Sequence, residues 1–180
     1  MKELALHILD IAQNSIAAGA SLISIDIEED LNSDTLQIKI VDNGRGIAED
    51  MITKVTDAFV TSRTTRKVGL GLPLFKQNAE QAGGWLKVES ENGFGTVVTA
   101  MFQSSNIDRP PLGDIAGTVC LLVVGNSDID FVYHHKSKMQ DYTFDSRDIK
   151  KILGEISVSN TKVYSYLKEM IECNLSDIGV

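Results

Sequence analysis

A chain of 180 residues, 43% of them hydrophobic, is one domain or one domain with a small annex, and is long enough to bury a core. Its formal net charge of −8 argues against nonspecific nucleic-acid binding. No apolar run is long enough to cross a bilayer, and Met1-Lys2-Glu3-Leu4 lacks the architecture of a signal peptide. Cys120 and Cys173 stand far apart, so a cytoplasmic protein with reduced thiols, no disulfide and no membrane association is expected.

Residues 2–18 carry Leu4, Ile8, Ile11, Ala12 and Ile16 at helical spacing, and Gly19 ends the helix as a C-cap glycine does. Asp10 and Asn14, four apart, share one face of it, and a solvated polar pair is the plain reading. His7, one turn before Ile11, reads as a helix histidine at the edge of the core. Residues 22–29 alternate as a strand, with Ile23, Ile25 and Ile27 on one face and Ser24, Asp26 and Glu28 on the other. Residues 35–41 repeat the pattern with Leu36, Ile38 and Ile40, so the two strands are expected to pair antiparallel. Continuing the period puts Asp42 on the apolar face, where a carboxylate is costly unless hydrogen-bond donors meet it. It opens the string Asp42-Asn43-Gly44-Arg45-Gly46, whose glycines let a flat group approach the backbone. The string is either a turn or a buried acceptor beside a bare backbone surface.

Residues 49–59 read as a helix burying Ile52, Val55 and Phe59. The segment 60–68 contains Thr61, Ser62, Arg63, Thr64, Thr65, Arg66 and Lys67 and no acid, a composition that suits phosphate oxygens as well as a polar loop. Gly69-Leu70-Gly71-Leu72-Pro73 then runs into a helix over 73–82, with Pro73 in the first turn and backbone N–H groups open to an anion. Gly83-Gly84 stops that helix. Residues 85–91 and 95–102 read as a hairpin, with Trp85 at the core or its rim and Thr96 able to present a hydroxyl inward. Residues 104–117, with Pro110 and Pro111, read as a linker. Beyond it 118–124 is an apolar run, and 129–136 and 142–144 look like strands. Asp145 or Ser146, and Ser159 or Asn160, are placed to cap two further helices. His134 and His135 are adjacent on a strand and point to opposite faces, which argues against a shared ion. No chemistry is assigned to this part of the chain.

Four pieces stand in a fixed order: Asp10-x-x-x-Asn14, Asp42-x-Gly44-x-Gly46, the loop from Phe59, and Gly69-x-Gly71. Over about residues 4–102 they resemble the ATP-binding domain shared by DNA gyrase, the heat-shock chaperones, sensor histidine kinases and MutL, the GHKL or Bergerat-fold superfamily. The stretch Asn14-Ser15-Ile16-Ala17-Ala18-Gly19-Ala20 looks most like MutL, and Phe59 through Leu72 most like a histidine kinase with a short lid. The resemblance implies an α+β fold: a two-layer α/β sandwich with a mixed, mostly antiparallel sheet over residues 1–103. The linker at 104–117 and a small C-terminal α+β annex at 118–180 would follow.

The resemblance also implies ATP and Mg2+ as ligands. Asn14 would coordinate the magnesium ion, and Asp42 would accept the adenine amino group. Gly44, Gly46 and Ile47 would line the base pocket, and Thr96 would support adenine recognition. Phe59, Thr61, Ser62 and Arg63 would belong to the lid, while Gly69, Leu70, Gly71 and Leu72 would offer backbone N–H groups to the phosphates. Asp10 stands where hydrolysing members carry a glutamate base, and it is one methylene shorter, so hydrolysis is expected to be slow or absent. No helical hairpin with a phosphoacceptor histidine stands ahead of the domain, and the lid is short. Neither a self-phosphorylating sensor kinase nor a topoisomerase clamp is therefore expected. The expected function is an ATP-binding regulator with Mg-ATP-dependent ATPase or protein-kinase-like activity, of the anti-sigma type, on a protein partner. The annex would be a docking or homodimer surface. The alternative is a non-catalytic ATP/ADP sensor or scaffold.

Overall fold

The computed structural model of the chain describes residues 2–52, 55, 71–137, 140–154, 156, 158 and 160–180. In chain order the elements are α1 (Leu4–Ala17), β1 (Leu22–Asp30), β2 (Thr35–Asp42), α2 (Glu49–Ile52), α3 (Gly71–Gln81), β3 (Trp85–Glu91) and β4 (Gly95–Gln103). There follow α4 (Ile115–Gly125), β5 (Asp130–Ser137), β6 (Gln140–Asp145), α5 (Ser146–Leu153) and α6 (Thr161–Asp177). The strands form one sheet in the order β3-β4-β2-β1-β5-β6. β1 and β5 run parallel and the other neighbouring pairs are antiparallel, the mixed, mostly antiparallel arrangement expected.

The period-two pattern decides which face is covered. Ile23, Ile25 and Ile27 of β1 lie beside Asp42, Ile40 and Ile38 of β2 and are buried with them. Val98, Ala100 and Phe102 of β4 and Phe131 and Tyr133 of β5 extend the same apolar face. Fully burying one such isoleucine contributes roughly 1.5–3 kcal/mol, so this array fixes the strand register. Over it lie α1 against β1 and β2, α3 against β3 and β4, and α4 against β5, with α6 packed on α4 and β6. The other face carries Asp26, Glu28, Lys39, Lys87, Glu89 and Lys136, with ion pairs Lys136–Glu28 at 2.6 Å and Lys87–Glu89 at 2.7 Å. That polar face makes the molecule a two-layer sandwich rather than three.

The C-terminal strands join this sheet directly. The apolar run at 118–124 is helical, within α4, and its side chains are buried on nearly every side because α1 and α6 flank it above β5. The residues read as a linker are tied to α1: Leu4 N–H donates to Pro111 O at 2.9 Å and Ala5 N–H to Leu112 O at 2.8 Å. Glu3 makes no side-chain cap, so these carbonyls satisfy donors that the first turn of α1 leaves open. At the later helices the caps are Asp145, which accepts from Arg147 N–H, and Asn160, which accepts from Lys162 N–H. Ser146 turns inward instead and accepts from Phe131 N–H at 2.8 Å.

The two adjacent histidines of β5 do face opposite ways. His135 is buried between the Tyr133 hydroxyl, at 2.7 Å, and Glu29, at 3.1 Å. His134 stands on the polar face, 3.7 Å from Asp26 and 3.5 Å from Asp141. Trp85 is 42% exposed at the start of the edge strand β3 and belongs to the rim. No helix among the described residues is long and apolar enough to cross a membrane.

His7 departs from its expected place at the core edge, for it is fully buried. It stacks on Phe75 at a ring separation of 4.8 Å and lies 2.8 Å from the Asn78 amide, so it fastens α1 to α3. Its Nδ1 has no hydrogen-bond partner among the described residues. Burial lowers its pKa from 6.5 to about 4, so the imidazole is neutral at pH 7. Between those two values the unfolded chain binds the proton that the folded one refuses, so stability falls as pH falls through that window. From pH 7 to 5 this group alone should remove about 2 kcal/mol. Urea unfolding of the wild type and His7→Gln at both pH values should show a shallower pH dependence in the variant; equal slopes would contradict the burial of a neutral imidazole.

Candidate functional site

The site begins where β2 ends. Asp42 continues the inward period of Leu36, Ile38 and Ile40 and is 8% exposed. Two donors meet its carboxylate: Ser15 Oγ reaches Oδ2 at 2.6 Å and Gly44 N–H reaches Oδ1 at 2.9 Å. A buried acceptor is tolerable on those terms, and each oxygen keeps a further lone pair. The Asp42-Asn43-Gly44 string is not a hairpin turn, because the chain runs on into α2 and the second neighbour of β2 is β4. Asn43 pins it from below, its Oδ1 accepting from both Ser21 N–H and Leu22 N–H at 2.9 Å.

The glycines are there for contact. A Cβ on Gly44 would lie 3.0 Å from Ala18 Cβ and 3.1 Å from Asp42 Oδ1. Gly46 has a φ of +69°, and a Cβ there would run into the Glu91 carbonyl, 2.9 Å from its carbon. Arg45 N–H donates to Ala18 O at 3.0 Å and Gly93 N–H to Arg45 O at 2.8 Å, so the string bridges α1 and the β3–β4 turn. Ile47 N–H donates to Ser90 Oγ at 2.8 Å. Thr96 lies directly opposite Asp42 across the β2–β4 pair, on the inward face as expected, and Ser90 lies opposite Thr96 across the β3–β4 pair.

Asp10 and Asn14 lie one turn apart on α1, the helix whose Ser15 reaches Asp42. Asp10 is half-buried, and its carboxylate rests against Gly71, where a Cβ on that glycine would collide with it. Asn14, one turn on, is exposed. Gly71 and Leu72 open α3, so the Asp42 string, the polar stripe of α1 and the N-terminus of α3 border one region. Phe59, Thr61, Ser62, Arg63, Gly69 and Leu70 lie outside the described residues.

Two contributors escaped the sequence reading. Ser15 continues the buried stripe of Leu4, Ile8, Ile11 and Ala12, and a hydroxyl on such a stripe signals a buried acceptor opposite. Ser90 continues the inward period of Leu86 and Val88 on β3, a hydroxyl on an apolar strand face that meets the Thr96 hydroxyl opposite.

The family model of histidine kinase-, DNA gyrase B- and HSP90-like ATPases matches residues 2–106. A putative NtrY-like sensor histidine kinase of Rickettsia conorii is 25% identical over 108 residues, 60% of this chain and 18% of that protein. The sensor histidine kinase CitA of Klebsiella pneumoniae is 40% identical over 78 residues, 42% of this chain and 14% of that protein. Sporulation kinase D of Bacillus subtilis is 44% identical over 62 residues, 34% of this chain and 12% of that protein. The chain thus spans less than a fifth of the length of these relatives. A solved N-terminal domain of a DNA repair protein superimposes with a TM-score of 0.58 at 16% identity, over 86% of this chain and 58% of that one. The shared fold therefore runs past residue 106 into the C-terminal strands and helices. The architecture is the α+β sandwich of the Bergerat fold, and with residues 2–106 matched the chain belongs to the histidine kinase-, DNA gyrase B- and HSP90-like ATPase family.

Proposed function

We propose that this chain binds Mg-ATP between α1, the end of β2, the start of α3 and the β3–β4 hairpin, and turns it over as an ATPase or protein-kinase-like switch acting on a protein partner. The observation that carries the reading is the buried Asp42 carboxylate, held by Ser15 and Gly44 with lone pairs to spare and lying opposite Thr96 across the β2–β4 pair. Such an acceptor suits a heterocycle that offers an amino group. Gly71 and Leu72 open α3 with N–H groups and the positive end of a helix dipole, which suit phosphate oxygens.

The donor set also fits magnesium. Among the described residues no cluster of three His, Cys, Asp or Glu side chains could hold a metal by itself, whereas Asn14 is exposed one turn from Asp10. Asn14 would give the ion one amide oxygen, which suits a cation that keeps water and phosphate oxygens as its other ligands. When bound, the ion offsets charge on the phosphate oxygens. Asp10 is the candidate base. The carboxylate is short and lies against Gly71, an arrangement that favours a second reading in which the site senses ATP against ADP without catalysis. A cytoplasmic location, a protein partner or homodimer, and anti-sigma-type activity are part of this proposal.

Asp10→Asn separates the two readings. If Asp10 is the base, phosphate release or transfer should fall by about a hundredfold or more. The rise in melting temperature with Mg-ATP should persist. Wild-type turnover in the variant would remove Asp10 from the chemistry, and a wild type that binds ATP without turnover would establish the sensor.

A further inference from the structure

We propose that Ser90 sets the base specificity of this site by fixing the direction of the Thr96 hydroxyl proton. The inference rests on the nucleotide-binding reading above and adds to it a residue on the edge strand β3. Ser90, Thr96 and Asp42 form one cross-strand row over β3, β4 and β2, all on the inward face.

The hydrogen-bond bookkeeping of that row has one solution. Ser90 Oγ is 2.7 Å from Gly95 O, and a carbonyl only accepts, so the single hydroxyl proton of Ser90 goes there. Ile47 N–H only donates, and at 2.8 Å it takes one of the Ser90 Oγ lone pairs. The remaining contact, Ser90 Oγ to Thr96 Oγ1 at 3.0 Å, can then be a hydrogen bond only if Thr96 donates. Thr96 thus spends its proton on Ser90 and turns lone pairs alone toward the pocket. Its cross-strand neighbour Asp42 likewise offers only acceptor oxygens there, since both of its bonds to the protein are accepted ones.

An acceptor-only pair meets a 6-aminopurine favourably, because the exocyclic amine carries two protons. A 6-oxopurine presents a carbonyl oxygen to the same place, and Thr96 has no proton to give it. Without the Ser90 hydroxyl the Thr96 proton is released and can turn into the pocket, so the oxo base becomes acceptable. Ser90 is in this sense a positioning residue: it acts on the base through Thr96, and through Ile47 it also holds the Gly46-Ile47 backbone in place.

The test is the ratio of ATP to ITP affinity, measured by titration calorimetry with magnesium on the whole chain. ITP differs from ATP by the 6-oxo group and the proton it brings to N1. Wild type should prefer ATP. Ser90→Ala should cut the preference by about tenfold, chiefly through tighter ITP binding, which is the swing of one hydrogen bond. Ser90→Thr, which keeps the hydroxyl, should restore the wild-type ratio. Loss of affinity for both nucleotides in Ser90→Ala with the ratio unchanged would reduce Ser90 to a structural role and overturn the proposal. If Ser90→Ala does not fold, Thr96→Val decides: it removes the acceptor and should weaken ATP while sparing ITP, and an unchanged ratio would overturn the proposal. A wild type that binds ATP and ITP equally overturns it and leaves the nucleotide site standing. A wild type that binds neither removes that site and this inference with it.

Discussion

Asp42→Asn should leave a folded protein that binds ATP at least about thirtyfold more weakly, the equivalent of about 2 kcal/mol for a charge-assisted hydrogen bond in a closed pocket. The fold survives because both local partners can be kept. The amide oxygen can accept from Gly44 N–H as Oδ1 does now, at 2.9 Å. The amide nitrogen can donate to Ser15 Oγ, whose own proton then turns to Ile11 O, already 3.4 Å away. That orientation is forced by Gly44, and it points an N–H donor where the carboxylate offered a lone pair. An adenine amino group then meets a donor instead of an acceptor. Calorimetry finding wild-type affinity in a variant with a native circular dichroism spectrum would remove Asp42 from the adenine contact.

Gly46→Ala should damage fold and site together. Gly46 has a φ of +69°, a conformation that costs an L-residue roughly 1–2 kcal/mol. Its Cβ would meet the Glu91 carbonyl, which is backbone in the paired strand β3 and cannot swing aside as a side chain would. The string must therefore lift off the β3–β4 turn, loosening the Gly93–Arg45 and Ile47–Ser90 hydrogen bonds. The expected loss is at least about 2 kcal/mol, or a melting temperature lower by roughly 5 °C for a chain of this size. Wild-type stability in the variant would contradict the close approach.

Much of this was legible in the sequence, and the reasons differ by element. Alternation along β1, β2 and the β3–β4 hairpin fixed which side chains face inward, and with it the burial of Asp42. The helical spacing of α1 brought Asp10 and Asn14 to one face in the same way. The type of α4 was not legible, because an eleven-residue run buried on nearly all sides has no period to read. Nor was the place of β5: its parallel pairing with β1 joins residues about a hundred positions apart, and no local pattern encodes that. His7 was placed at the core edge because its partners, Phe75 and Asn78, lie on another helix. Ser15 and Ser90 read as ordinary small polar residues until their partners are seen in the fold, Asp42 for Ser15 and the Gly95 carbonyl, Ile47 N–H and Thr96 for Ser90.

Titration calorimetry of the wild-type chain with ATP in the presence of magnesium at neutral pH tests the central claim most directly. The account predicts saturable one-to-one binding, accompanied by a rise in melting temperature that follows mass action in nucleotide concentration. No saturable heat and no change in melting temperature at nucleotide concentrations in the millimolar range would contradict a functional ATP site around Asp42.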